Sequence, residues 1–97
     1  MLGVSDVFDA LASESRRLIL DELAERDGQA LYEVCARLTM KHDLNLTRQA
    51  ISQHLEVLEA AGLVRSVREG RYKFHYIDTA PLEGAVRRWR KTTKEGK

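Results

Sequence analysis

One stretch constrains this chain more than any other: Thr47-Arg48-Gln49-Ala50-Ile51-Ser52-Gln53-His54-Leu55-Glu56-Val57-Leu58-Glu59-Ala60-Ala61-Gly62-Leu63-Val64. It reads as a helix with an N-cap, a polar face, an apolar face and a glycine stop, running straight into a strand. Thr47 is suited to accept hydrogen bonds from the free N–H groups of the first turn, and Gly62 suits the left-handed residue that ends a helix. Ile51, Leu55 and Leu58 recur at i, i+4 and i+7, one stripe of a 3.6-residue period. Arg48, Gln49, Ser52 and Gln53 point away from that stripe near the helix start. Amides and donors of this kind are what a helix needs to touch base edges in a major groove. Taken alone, the segment equally suits an ordinary amphipathic surface helix.

The residues that follow narrow the choice. Val64 to Glu69 and Tyr72 to Ile77 are two β-prone runs joined by Gly70-Arg71, a two-residue loop that begins with glycine, as a type II′ hairpin prefers. Tyr72, Phe74 and Tyr76 alternate on one face. Arg65, Arg68, Arg71 and Lys73 crowd the hairpin against one acid, Glu69. A capped helix, a glycine and a hairpin with a basic tip make a winged helix-turn-helix, in which the helix enters the groove and the wing lies on the phosphate backbone. The alternative is a solvated hairpin whose edge cations only discourage aggregation.

Composition sets the outer bounds. Ninety-seven residues support a single domain, 1–97, and a chain this size buries roughly two-thirds of its unfolded surface. An apolar fraction of 43% with 32% charged residues is that of a globular chain. No apolar run approaches the ~20 residues of a membrane span and no charged-then-apolar export signal is read at the N-terminus, so no membrane partner is expected. One cysteine, Cys35, makes no intrachain disulfide, which fits a reducing cytoplasm. The net charge is only +1, but residues 1–34 carry eight acids and three bases, and residues 35–97 carry thirteen bases and seven acids. The two parts stand at −5 and +6, and binding follows the local field rather than the total. Such a division suits a chain that presents one face to DNA; it also suits acid–base pairing between its halves.

The rest of the chain reads as helices. A first helix spans about Ser5 to Ala12, with Val4, Val7, Phe8 and Leu11 as its stripe. Ser13 caps a second, Glu14 to about Arg26, with Leu18, Ile19, Leu20, Leu23 and Ala24 inward and Gly28 as the residue that closes it. A third spans about Leu31 to Lys41, with Leu31, Val34, Cys35 and Leu38 in line, and His42 to Leu46 form the turn that follows. Thr79 and Pro81 open a last helix, about 80–92, with Leu82, Ala85, Val86 and Trp89 as its stripe. The tail Thr92 to Lys97 is expected to fray.

The expected fold is therefore mainly α with a small β-hairpin, in the order α-α-α-α-β-β-α. The terminal helices, about 4–12 and 80–92, each carry an apolar stripe with a large aromatic residue, and one small core has little left to cover both. The economical arrangement packs them against a second copy, with Val4, Phe8, Leu82, Val86 and Trp89 between chains. The other arrangement has them cap their own domain.

At this point the sequence resembles the ArsR family of bacterial winged-helix repressors. The residues that carry the resemblance are Leu11-Ala12-Ser13-Glu14-Ser15-Arg16-Arg17-Leu18-Ile19-Leu20, then Ser52-Gln53-His54-Leu55 through Gly62-Leu63-Val64, and Arg68-Glu69-Gly70-Arg71-Tyr72-Lys73-Phe74-His75-Tyr76. They extend over about residues 4 to 90. The resemblance implies a homodimer that represses transcription by binding an operator in double-stranded DNA. It implies a recognition helix bearing Thr47, Arg48, Gln49, Ser52, Gln53 and His54, with His54 on a phosphate, and dimer contacts from the first and last helices.

The departures concern effectors. The family's metal sensors carry a close pair of cysteines near the start of the third helix, or an Asp/His/Glu set on the last one. Here the third helix offers only Cys35, and the last has no His or Asp, its one carboxylate, Glu83, lying in the first turn. His42, His54 and His75 form no pair with the spacing of a tetrahedral zinc site. No metal or other cofactor is expected, and Cys35 reads as a structural thiol. Sulfur-sensing members need two cysteines. Leu38 to Leu46 is also longer than the usual link between the third and fourth helices.

Three function classes remain in view. The first is a DNA-binding regulator, as a repressor on a palindromic operator, with Thr47, Arg48, Gln49, Ser52, Gln53 and His54 on the helix and Arg68, Arg71 and Lys73 on the wing. An unrecognised ligand or thiol effector is a variant of it. The second is a winged helix that docks an acidic protein; the polar helix start argues for DNA. The third is an enzyme, for which no Ser/His/Asp set, paired carboxylates or phosphate loop is visible, so no catalytic residue is assigned.

Overall fold

The computed structural model describes residues 4–95, with side chains over residues 7–89. Helices α1 (Val4–Leu11) and α2 (Glu14–Glu25) lead through a two-residue strand β1 (Gln29–Ala30) into α3 (Leu31–His42) and α4 (Arg48–Ala60). The hairpin β2 (Val64–Glu69) and β3 (Tyr72–Ile77) follows, then α5 (Ala80–Glu95). The sheet order is β1-β3-β2, antiparallel throughout. The expected order therefore lacked one element, β1, which pairs Gln29 with His75 and Ala30 with Phe74. Two residues are too few to show a period-2 pattern, so the strand exists only through its partner.

The local signals behave as their chemistry requires. Ser13 Oγ accepts from the Arg16 N–H at 3.2 Å and Thr47 Oγ1 from the Ala50 N–H at 3.0 Å. Gly62, at φ +80°, closes α4 in a Schellman motif: its N–H donates to the Glu59 carbonyl at 2.9 Å, and the Leu63 N–H donates to Leu58 at 2.9 Å. Gly70 has φ +64° and Arg71 does not share the positive value, which is the type II′ pattern. The hairpin spans the expected residues, with Val64 opposite Ile77 and Glu69 opposite Tyr72.

Several boundaries differ. Arg26, in extended conformation, caps α2, and Gly28 at φ +74° instead turns the chain into β1, its N–H donating to the His75 carbonyl at 3.0 Å. His42 is the last residue of α3 rather than part of the turn; Asp43 takes the left-handed position, φ 53°. Ala24 is exposed and Leu18 half-buried, so the inward face of α2 is narrower than expected. Glu22 takes a buried place on it. Helix α5 runs to Glu95, past the expected end. The Val4 side chain lies outside the described residues.

The core draws on all four N-terminal helices and the start of β2. Ile19 and Leu23 of α2, Val34 and Leu38 of α3, and Ile51 and Leu58 of α4 are all at or below 1% exposure. Val7 and Ala10 of α1 and Leu63 and Val64 join the same buried set. Glu22, 1% exposed, is held by Arg37 Nε at 2.7 Å, His42 Nε2 at 2.7 Å and Lys41 Nζ at 3.5 Å, which tie α2 to α3. Burial alone would raise its pKa; hydrogen bonds from His42 and Arg37 and the charges of Lys41 and Arg37 bring it below the ordinary carboxylate value.

Candidate nucleic-acid interface

Helix α4 buries Ile51, Leu55 and Leu58, so its opposite side is free to work. Thr47, Arg48, Gln49 and Gln53 are exposed, and Ser52 and His54 are half-buried. Arg48 and Ser52 line a cavity between α4 and the wing, shared with Arg71 and Lys73, and Gln49 and Gln53 are exposed to solvent. Thr47 accepts the cap hydrogen bond yet keeps a hydroxyl proton to donate.

His54 turns one ring nitrogen inward. Its Nδ1 lies 3.2 Å from Arg16 Nη1, and a guanidinium has only donors, so Nδ1 accepts and the neutral ring carries its proton on Nε2. Arg16 also donates to the carbonyl of Ala10 at 2.7 Å through Nε and to that of Asp9 at 3.3 Å through Nη2. It thus satisfies the end of α1 while fixing a residue of α4. Burial, and secondarily the Arg16 charge, push the His54 pKa below its ordinary value.

The wing is basic at its surface and polar at its root. Arg68, Arg71 and Lys73 are exposed, and Arg68 stands directly opposite Lys73 in the strand register. Like charges in that relation disfavour a hairpin, a cost that the Lys73 contact with Glu59 only partly offsets. Arg65 is occupied differently, its guanidinium 5.0 Å from the Tyr76 ring centroid. At the root, Ser66 Oγ donates to Glu59 Oε2 and accepts from His75 Nδ1 at 3.1 Å. Lys73 Nζ reaches Glu59 at 3.8 Å. This chain of contacts joins the end of α4 to both wing strands and so sets the angle between helix and wing. His75 is only 6% exposed, and burial lowers its pKa, against the opposing effect of Glu59.

Sequence reasoning missed Arg16, Glu59, Ser66 and the buried state of His75. All four lie within stretches already singled out, but each acts through a partner on another helix or strand. Cys35 is half-buried against the core. Burial raises its pKa, and the neighbouring Arg48 works in the opposite direction. Among the described residues no three His, Cys, Asp or Glu side chains gather to hold a metal ion, and no helix is long and apolar enough to cross a membrane.

The terminal helices are divided between inside and outside. Val7, Ala10 and Ala85 are buried within the chain, and Leu82 is half-buried. Phe8, Val86 and Trp89 are 47%, 50% and 51% exposed, with the Phe8 and Trp89 ring centroids 6.3 Å apart.

Comparison with known proteins agrees with this architecture. A family model described as a helix-turn-helix domain matches residues 11–67. The chain is 51% identical over 83 residues to the HTH-type transcriptional regulator YuzN of Bacillus subtilis, covering 86% of this chain and 90% of the relative. It is 28% identical to the transcriptional repressor SdpR of the same organism, covering 86% of this chain and 84% of SdpR. Among solved structures it resembles an ArsR-like transcriptional regulator from Rhodococcus sp. RHA1, with a TM-score of 0.74, 35% identity, and coverage of 95% and 80% of the two chains. The helix-turn-helix of α3 and α4, the hairpin wing and these relatives together establish that the chain belongs to the ArsR family of winged helix-turn-helix transcriptional regulators.

Proposed function

We propose that this chain is a single winged-helix domain that works in the cytoplasm as a homodimeric, sequence-specific repressor without a metal effector. Gln49 and Gln53 of α4, with Thr47, Arg48 and Ser52 at its start, read a palindromic operator in the major groove. Arg68, Arg71 and Lys73 hold the flanking phosphates, and His54 offers Nε2–H as a further phosphate donor. The dimer forms through α1 and α5, burying Phe8, Leu82, Val86 and Trp89, with Val4 on the same stripe. The observation that carries the reading is the exposure of the wing cations Arg68, Arg71 and Lys73 together with that of the α4 amides Gln49 and Gln53. The repressor role is supported by the likeness to a relative named as a repressor, and the dimer by half-exposed Phe8, Val86 and Trp89 on neighbouring helices.

Selection from a random duplex library, followed by sedimentation of the selected complex, tests this. The expected outcome is a two-fold site with half-sites about one helical turn, ~10 base pairs, apart, bound by two chains. Absence of sequence enrichment, or one chain per duplex, overturns it.

A further inference from the structure

Between α4 and the wing lies a cavity of about 270 Å³. Ligand pockets for drug-sized molecules begin at about 300 Å³, so this one has room for a single-ring compound. Its apolar lining comes from Ala30, Leu31 and Leu55, and Tyr32 and Tyr72 form an aromatic corner, their ring centroids 6.0 Å apart in an edge-on arrangement. Arg48, Arg71 and Lys73 bring three cations, and Glu56 and Glu59 two carboxylates. Glu59 is already engaged by Ser66 and Lys73. Among the described residues Arg71 has no ion pair and Arg48 meets only the Cys35 thiol. Arg48 and Arg71 therefore line a partly apolar, aromatic-walled space with no carboxylate bound to either.

We propose that this cavity binds a small aromatic monocarboxylate and that the ligand competes with DNA for the surface between α4 and the wing. The tyrosines and the leucines take up the apolar ring, for which offset and edge contacts are favourable. The planar fork of an arginine matches a carboxylate in two parallel hydrogen bonds. Glu56 on the same wall disfavours a second negative charge, so a monoanion is preferred to a phosphate ester. Competition follows because the cations that hold the ligand, Arg48, Arg71 and Lys73, are those assigned above to DNA, and two ligands that share contacts weaken each other reciprocally. This competition rests on the DNA reading; binding of the carboxylate does not.

Calorimetry of the full chain with sodium benzoate and with 4-hydroxybenzoate, at matched ionic strength, should show saturable binding of one ligand per chain. Benzyl alcohol and benzylamine should bind at least about tenfold more weakly, as expected for charge-assisted hydrogen bonds to the carboxylate. Tyr32→Ala and Tyr72→Ala, both outside the DNA set, should each weaken benzoate about tenfold while leaving duplex affinity within about twofold. With a fluorescent duplex, benzoate at about ten times its dissociation constant should weaken DNA binding about elevenfold by mass action, an effect reduced in Tyr32→Ala. No saturable binding of either carboxylate, equal binding of benzyl alcohol, or undiminished binding in both tyrosine variants overturns the site. Benzoate binding that leaves duplex affinity unchanged overturns the competition. A chain that binds benzoate and no duplex overturns the DNA reading while sustaining the pocket.

Discussion

Arg16 and His54, 38 residues apart, meet through Nη1 and Nδ1 at 3.2 Å, and this contact decides which imidazole nitrogen faces the outside world as a donor. Nitrogen-15 chemical shifts should report the Nε2–H tautomer for His54 at neutral pH. The Arg16→Ala variant removes the donor to Nδ1 and those to Ala10 and Asp9, so it should lose about 1–3 kcal/mol of stability. The His54 pKa should move back toward its ordinary value in that variant. A His54 in the Nδ1–H form would sink the assignment.

The two depressed histidines give a pH dependence whose sign is fixed. The folded state lowers the pKa of His54 and His75 from the ordinary 6.5, chiefly by burial. Between the lowered values and 6.5 the unfolded chain therefore binds more protons, so stability rises with pH across that window and is lost as pH falls below 6.5. Protonating His75 also places a second donor in a pocket where Ser66 already satisfies Nδ1, with Glu59 and Lys73 nearby. Urea midpoints measured from about pH 8 to pH 5 should decline, and the decline should be shallower in His75→Gln. A pH-independent midpoint over that range would contradict the burial account.

A second window belongs to the α2–α3 junction. Glu22 and Glu25 both sit below the ordinary 4.5, Glu22 because His42 and Arg37 outweigh its burial, Glu25 because Lys41 hydrogen-bonds it. Their contribution is present above 4.5 and lost as pH falls through the lowered values. Glu22→Ala removes the centre of the network, leaving Arg37 with Glu25 alone, at 3.4 Å, and His42 without its carboxylate, both side chains being 25% exposed. Breaking a buried pair costs about 3–5 kcal/mol when the orphaned charge stays dry; with partners that reach water, about 2–3 kcal/mol is expected. Thermal unfolding of Glu22→Ala and Glu22→Gln measures it, and a loss below about 0.5 kcal/mol would mean that the network is only a surface ion cluster.

What was legible in advance follows from how local each signal is. The β2–β3 hairpin came out with its expected register because alternation and a Gly-first loop act over neighbours alone. The same holds for the caps at Ser13 and Thr47 and the stop at Gly62. Strand β1 was invisible since Gln29 and Ala30 carry no pattern and pair with residues 46 and 44 positions away. Glu22 and His75 defeat periodicity in another way. A polar residue reads as exposed unless its partners are known, and those partners come from other elements. The candidate interface was legible as residue types but not as surfaces: that Arg48 and Ser52 share a recess with the wing while Gln49 and Gln53 do not depends on how α4 meets β3.

Dimerisation through α1 and α5 makes a direct prediction. Phe8, Val86 and Trp89 stand half exposed along adjoining helices. Trp89→Ala should weaken the dimer by about 3 kcal/mol, as for other large-to-small changes at packed sites. Val86→Asp, which adds a buried charge to the same face, should yield monomer at micromolar concentration while the helical circular dichroism persists. Sedimentation velocity decides the matter, and an unmutated chain that is monomeric at micromolar concentration would end the proposal.

The division of labour between helix and wing can be separated by salt. Gln49 and Gln53 are exposed on the solvent side of α4, where an amide can pair with adenine through two hydrogen bonds. Gln49→Ala or Gln53→Ala should cost about 1–3 kcal/mol on the cognate duplex and leave random-sequence binding nearly untouched. Arg71 lies at the wing tip next to the Arg68–Lys73 pair, which the proposed reading sets against the phosphate backbone. Arg71→Ala should weaken cognate and random duplexes alike and lower the salt slope by about one unit per chain, since one fewer counterion is released. Fluorescence anisotropy on both duplexes across a salt series reads the two effects independently. Should Arg71→Ala alter only the preference between sequences, the wing reads bases, as an arginine placed in a narrow minor groove would.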